Sequence, residues 1–163
     1  MGDSTEERRF SLESRRYIGC KTQLVDWISG LIDEHTHDVH SFCDIFSGTG
    51  VVAHRALQKY ERVVVNDFLH SNNVMYHAFF DSDKWSRERV QTIIDEFNTI
   101  NPCKIGENYF SKNFGGKYFY HNTAKLVGYI RGKLQKMRSS LTDKEYAVLL
   151  ASLIYSIDRH ANT

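Results

Sequence analysis

The chain contains one proline, Pro102, in 163 residues, so no motif built on adjacent prolines can exist within it. Cysteine is nearly as scarce. Cys20, Cys43 and Cys103 are odd in number and widely spaced, with no Cys-x-x-Cys pair. That pattern argues against a disulfide framework and a zinc site and fits reduced thiols. No apolar signal core opens the chain, whose first residues (Asp3, Glu6, Glu7, Arg8, Arg9) are polar. The longest apolar stretch, Ala147 to Ile157, carries Ser152 and Ser156 and is too short to span a bilayer. These features predict a cytoplasmic protein with no membrane partner. An excess of charge is missing as well, with 21 Lys and Arg against 20 Asp and Glu. If nucleic acid is the partner, the basic footprint is local or lies outside this chain. His35, His37 and His40 have no cysteine or acidic shell, which makes them a solvated connector and not a metal site.

What is present is concentrated in Phe42 to Ala53. A short apolar run ends in an acid at Asp44, a Gly48-Thr49-Gly50 turn follows, and helical spacing resumes at Val51, Val52, Ala53, Ala56 and Leu57. The glycines permit positive φ and let the backbone approach a ligand closely. The helix behind them points unpaired N–H groups at a ligand's negative group. A second strand-like run, Arg62 to Val65, ends in Asn66-Asp67, nineteen residues after Gly48. An acid at that strand end suits the hydroxyls of a ribose. Gly48-Thr49-Gly50-Val51-Val52-Ala53 also satisfies the dinucleotide fingerprint G-x-G-x-x-A. The pattern predicts a nucleoside-cofactor site.

The remaining spacing predicts helices at 22–32, 50–60, 71–80 (capped by Ser71), 85–97, from Asn122 or Thr123 to 138, and from Thr142 to about 158. Thr142-x-x-Glu145 fits a capping box. Strands are expected at 41–46 and 62–66. Between Ile100 and Tyr120, Asn, Gly and aromatic residues dominate, and the segment reads as an ordered loop. Its tyrosines and phenylalanines, interleaved with Lys112 and Lys117, either stack on unpaired bases or pack onto helices. Lys125, Arg131, Lys133, Lys136 and Arg138 give the following helix a basic bias, which is either a phosphate contact or a solvated face. Two strands cannot form an independently stable sheet. The expected fold class is therefore α/β, helix-rich, a partial Rossmann-like fold holding only the first strands of its parallel sheet. The rest of that sheet is expected beyond Thr163 or from another chain. Residues 1–14 are a polar segment and 15–163 part of one domain, with a cofactor-binding half at 15–82 and a helical region at 83–163.

The residues around the turn divide the possible cofactors. An acid at Asp44 suits a positive group such as an amino-acid ammonium and repels a pyrophosphate, which favours S-adenosylmethionine over NAD. Upstream, Lys21 stands at a helix entrance, where the dipole prefers anions. It either reaches a ligand carboxylate or is a solvated turn residue.

Tyr17-x-Gly19-x-Lys21, then Asp44-x-Phe46-x-Gly48-x-Gly50, then Asn66-Asp67 form a recognisable series. In that order they resemble the D12 class of adenine-N6 DNA methyltransferases. The resemblance covers roughly residues 15 to 80. It continues more weakly through 122–131 and 149–163, where Asp158-x-x-Ala161-Asn162-Thr163 is similar to a segment of FokI-type members. The resemblance implies a Rossmann-like fold, double-stranded DNA as substrate and S-adenosylmethionine held by Tyr17, Gly19, Lys21, Asp44, Phe46, Gly48 and Gly50, with Asp67 on the ribose. The chain departs from the family at the catalytic motif, Asp-Pro-Pro-Tyr, which it lacks. The expectation is the cofactor-binding portion of a restriction–modification methyltransferase, inactive alone, with the missing half or a second chain as partner. A non-catalytic module of the same fold and an NAD-binding domain are the alternatives.

Overall fold

The protein's computed structural model describes residues 21–161. A 3-10 turn (Thr22–Leu24) leads into α1 (Val25–His35). Strand β1 (Ser41–Asp44), helix α2 (Val51–Ala56) and strand β2 (Arg62–Val65) follow. The strands pair in parallel, from Ser41 opposite Arg62 to Asp44 opposite Val65. Both alternate, so Phe42, Asp44, Val63 and Val65 share the half-buried face and Ser41, Cys43, Arg62 and Val64 the exposed one. Helices α1 and α2 cover Phe42, which stacks on Tyr60 at 5.3 Å between ring centres. Among the described residues no third strand pairs with these two. The result is the helix-rich α/β fold, with the first strands of a parallel sheet, expected from the sequence.

The larger core is helical. It is built by α3 (His70–Phe80), α4 (Arg87–Asn98), α6 (His121–Met137) and α7 (Asp143–His160), with the short α5 (Tyr109–Phe114) packed on α6. Helix α7 lies at the centre, against α3, α4 and α6. Val90, Ile93, Leu134, Leu141, Leu149 and Leu153 form one cluster. Met75, Ala78, Ala147 and Ala151 form the second, where the small residues let α3 and α7 approach closely. The capping box at Thr142 is present: its hydroxyl accepts from Glu145 N–H at 3.1 Å and Glu145 accepts from Thr142 N–H at 3.0 Å. Glu145 is buried and also accepts from Ser86 N–H at 3.2 Å, with Arg89 at 3.5 Å, so the same acid ties α7 to the start of α4.

Several boundaries differ from the sequence reading. Strand β1 ends at Asp44, not Phe46, and α2 ends at Ala56, not Tyr60, where the Gln58 and Lys59 N–H groups bond carbonyls three residues back and tighten the chain into a turn. Helix α3 begins at His70, not after Ser71, because the Asp67 carboxylate accepts the Leu69 N–H and sets the N-cap at Leu69, two residues earlier. Helix α6 begins at His121 behind Tyr120, with neither Asn122 nor Thr123 as cap. The expected loop at 100–120 contains α5, started by a capping box between Asn108 and Ser111. Cys43 and Cys103 are free thiols, and the described residues contain no group able to hold a metal ion. No helix among them is long and apolar enough to cross a membrane.

Candidate functional site

The connections leaving β1 and β2 lie side by side because the strands are parallel neighbours. Gly48 (φ 54°) and Gly50 (φ 84°) both take the left-handed conformation that glycine adopts without steric cost. Gly50 is further confined: a Cβ there would lie 3.1 Å from the Phe80 ring and 3.4 Å from that of Tyr76. Its N–H donates to Ser47 O at 2.8 Å, and its carbonyl accepts from His54 N–H at 2.8 Å, closing the turn into α2.

Asp67 joins the two connections. One carboxylate oxygen accepts from Gly48 N–H at 2.9 Å. The other accepts from Leu69 N–H and from the Asn72 amide, each at 2.9 Å. Partial burial pushes this carboxyl up. The bonds from Leu69, Asn72 and Gly48, with the nearby charge of Lys21, outweigh it and hold the pKa below the ordinary aspartate value. Asp67 is therefore ionised at neutral pH, with three of its roughly four acceptor positions filled.

Asp44 is the opposite case. One of its oxygens accepts from Phe46 N–H at 3.2 Å, while the other, Oδ2, is buried with no hydrogen-bond partner among the described residues. A buried carboxylate oxygen left unpaired costs on the order of 1–3 kcal/mol, more when charged. Sites that carry such a cost are where a ligand's donor is accommodated. Lys21 reaches across 25 residues to donate to Phe46 O at 2.7 Å, clamping the segment between Asp44 and the glycines. Asn66 adds a second tie, donating to Ile45 O at 3.0 Å.

The fold thus brings Lys21, Asp44, Phe46, Gly48, Gly50 and Asp67 to one end of the sheet. Tyr17 and Gly19 lie outside the described residues. Four further residues escaped the sequence reading. Asn72 is fully buried beneath Asp67, and Tyr76, one turn on, donates its hydroxyl to Gly48 O at 2.7 Å. With Phe80 they form an i, i+4, i+8 stripe on α3 that supports the glycine turn from below. The fourth is Phe68, 98% exposed directly after Asp67. An aromatic ring held so far into water beside the polar anchor is a ready platform for a planar partner. The cue in the sequence is a lone aromatic immediately after the strand-ending acid.

A model of the D12 class N6 adenine-specific DNA methyltransferases matches residues 17–163. The chain belongs to that family. Its relatives include the type II methyltransferase M.CviAII of Paramecium bursaria Chlorella virus 1. That protein is 29% identical over 151 residues, which are 90% of this chain and 46% of the relative. Type II methyltransferase M.FokI of Planomicrobium okeanokoites is 29% identical over 158 residues, covering 87% of this chain and 24% of that protein. Type II methyltransferase M.NlaIII of Neisseria lactamica is 24% identical over 155 residues, covering 90% and 46%. The chain spans less than half the length of each of these relatives. No solved structure matches it.

Proposed function

We propose that this D12-class chain is the S-adenosylmethionine-binding part of a site-specific DNA methyltransferase that methylates adenine N6 in a restriction–modification system. The observation that carries the proposal is the unpaired Asp44 Oδ2 buried beside the glycine turn. It suits the ammonium of a methionine moiety. A pyrophosphate there would instead meet a like charge, costing about 4 kcal/mol at 4 Å and an effective dielectric of 20. NAD is disfavoured on that ground.

The other groups fit the same ligand. Asp67 has room for one ribose hydroxyl beyond its three existing donors, and Phe68 offers a face to the adenine. Lys21 spends one of three ammonium donors on Phe46, so a ligand carboxylate can take another. Tyr17 and Gly19 are proposed to add to this end of the pocket, as the family resemblance implies. The bound cofactor supplies a methyl group already activated on a sulfonium. The protein has then to align the adenine amine with that methyl, after the base leaves the stack.

The groups that hold the base are not in this chain. Its one proline rules out the Asp-Pro-Pro-Tyr motif, and among the described residues each of its two strands is paired on one side only, leaving both sheet edges open. Both observations support a partner segment, in the same polypeptide or a second one, that completes the sheet and brings the motif. The chain alone is expected to bind cofactor weakly and not to methylate DNA.

Calorimetry with S-adenosylmethionine, S-adenosylhomocysteine and NAD tests the reading. Binding of both S-adenosyl compounds, with no heat from NAD, is expected. Preference for NAD, or S-adenosylmethionine affinity unaltered by Asp44→Ala, would overturn it.

A further inference from the structure

The charge balance of the whole chain conceals a strong local bias. From Asn108 to Thr142 there is no Asp or Glu, while seven Lys and Arg residues fall in the same stretch, two of them (Lys112 and Lys117) in its first ten residues. The structure gives this stretch a specific shape. Phe110 packs on Phe114 at 4.8 Å and on Phe119 at 5.4 Å, so the phenylalanines form the inside of a small module seated on α6. Its turn is fixed by Gly116 (φ 73°), whose N–H donates to Phe119 O at 2.8 Å, and by the bridge between Gly115 and Phe119.

The tyrosines are the exposed side of the module, with Tyr118 resting against Phe114 at 6.3 Å. Tyr109 is 78% exposed, Tyr118 55% and Tyr120 74%, and Lys112 and Lys117 are exposed among them. Neither lysine meets a carboxylate in an ion pair among the described residues. The nearest acid in sequence, Glu107, is already engaged by His121 at 2.7 Å and Lys125 at 3.1 Å. A turn that packs its phenylalanines together while presenting three tyrosines and two ammonium groups outside any ion pair among the described residues suits an anionic partner with hydrogen-bond acceptors.

We propose that this face, residues 109–120, is a DNA-contacting surface. Lys112 and Lys117 each neutralise a backbone phosphate, and the Tyr118 and Tyr120 hydroxyls bond phosphate oxygens while their rings pack on the sugars. The partner assignment rests on the methyltransferase reading above; the built surface does not. Contacts of this kind set register on the duplex and carry no sequence information.

The test is fluorescence anisotropy of the chain with a labelled duplex across a salt titration. Calorimetry with S-adenosylmethionine and thermal melts are run on the same samples. Each phosphate neutralised contributes about 0.9 to the slope of log affinity against log salt. Lys112→Gln with Lys117→Gln should therefore lower that slope by about 1.8, which is about 60-fold in affinity at 0.1 M salt. Tyr118→Ala with Tyr120→Ala should weaken binding at least tenfold with the slope unchanged, since a neutral contact releases no counterions. Lys84→Gln, an exposed lysine in the α3–α4 connection, should do neither. Cofactor heats should stay at wild-type values in all variants, and melting temperatures in all but the tyrosine pair, which loses the Tyr118–Phe114 contact. Loss of DNA binding with normal cofactor heat separates this surface from the cofactor reading. An unchanged slope in the lysine pair, or absence of DNA binding by the wild-type chain, would overturn the proposal. So would self-association that the tyrosine pair abolishes while DNA affinity holds, because a second copy would then be the occupant.

Discussion

Breaking the bond between Asn72 and Asp67 offers a quantitative test of how the glycine turn is supported. Asn72→Ala removes a buried donor to a carboxylate that retains the Leu69 and Gly48 N–H groups. A bond to a charged acceptor contributes about 1.5–3 kcal/mol, and the lower half of that range is expected because two donors remain. Asp67→Ala removes all three bonds and leaves the Asn72 amide without this acceptor in a fully buried position. Its cost should be larger, about 2–4 kcal/mol. Each single variant already removes the bond between the two residues, so the double variant should cost about 1–2 kcal/mol less than the sum of the singles. Urea unfolding followed by circular dichroism at pH 7 reads these as midpoint shifts. With a slope near 2 kcal/mol per molar, 2 kcal/mol appears as about 1 M. The Asp67 pKa is lowered by folding, so its contribution is present above the unfolded value near 3.9 and is lost as pH falls through the folded value. The coupling should therefore shrink in strong acid. Asn73→Ala, whose amide reaches backbone carbonyls at only 3.5 Å, serves as the control and should not couple to Asp67. Additivity of Asp67 and Asn72 within about 0.3 kcal/mol at pH 7 would refute the proposed support.

Two glycines in helical surroundings should respond in opposite directions to alanine. Gly50→Ala should destabilise by about 1–2 kcal/mol from its φ alone, with the 3.1 Å approach to Phe80 adding to it. Gly132→Ala, in α6 with nothing within 4 Å, should stabilise by up to about 1 kcal/mol; thermal melts of the pair check both signs. Glu145→Gln should cost about 2 kcal/mol, since a buried acid then loses its charge toward Arg89 and its bonds to the Thr142 and Ser86 N–H groups weaken. The bonds from Thr142 outweigh burial and, with those from Ser86 and the Arg89 charge, lower the Glu145 pKa. Its contribution is thus held above the unfolded value near 4.3 and lost as pH falls through the folded one. Wild type and E145Q should accordingly converge in stability in acid denaturation, and a constant gap would refute the assignment.

What could be read from the sequence was what depends on neighbouring residues. Gly48 and Gly50 announce positive φ, Thr142 and Glu145 announce a capping box, and strands ending in Asp44 and Asp67 announce a paired sheet edge. The clamp of Lys21 on Phe46 and the seat of Asn72 under Asp67 depend on tertiary contact and leave no periodic trace. Asn72 looks like a solvent-facing residue of a polar helix start, yet it is buried beneath Asp67. Ser71 was the natural cap for α3 by residue type, but a carboxylate four residues earlier anchors the chain instead. Of the two readings of the aromatic stretch, packing holds for Phe110, Phe114 and Phe119, while Tyr109, Tyr118 and Tyr120 stay exposed, a division that amino-acid class cannot convey.

Helix α3 is braced from behind by α7, whose first residue follows the last of α3 by more than sixty positions. On a ribosome adding residues from the N-terminus, β1, the glycine turn and β2 emerge long before that support exists. The early segment then has only a two-stranded ribbon and a few short helices to settle on, too little for a fixed pocket. Its α3 side chains stay exposed until α7 arrives. Closing so long a loop is the slow, entropically opposed step for non-local contacts. Ligand competence should therefore appear late and abruptly in synthesis, when Ala147 and Ala151 reach Met75 and Ala78. Ribosome-stalled chains of increasing length would show protease protection of the Asp44–Asp67 region only after α7 has cleared the exit tunnel.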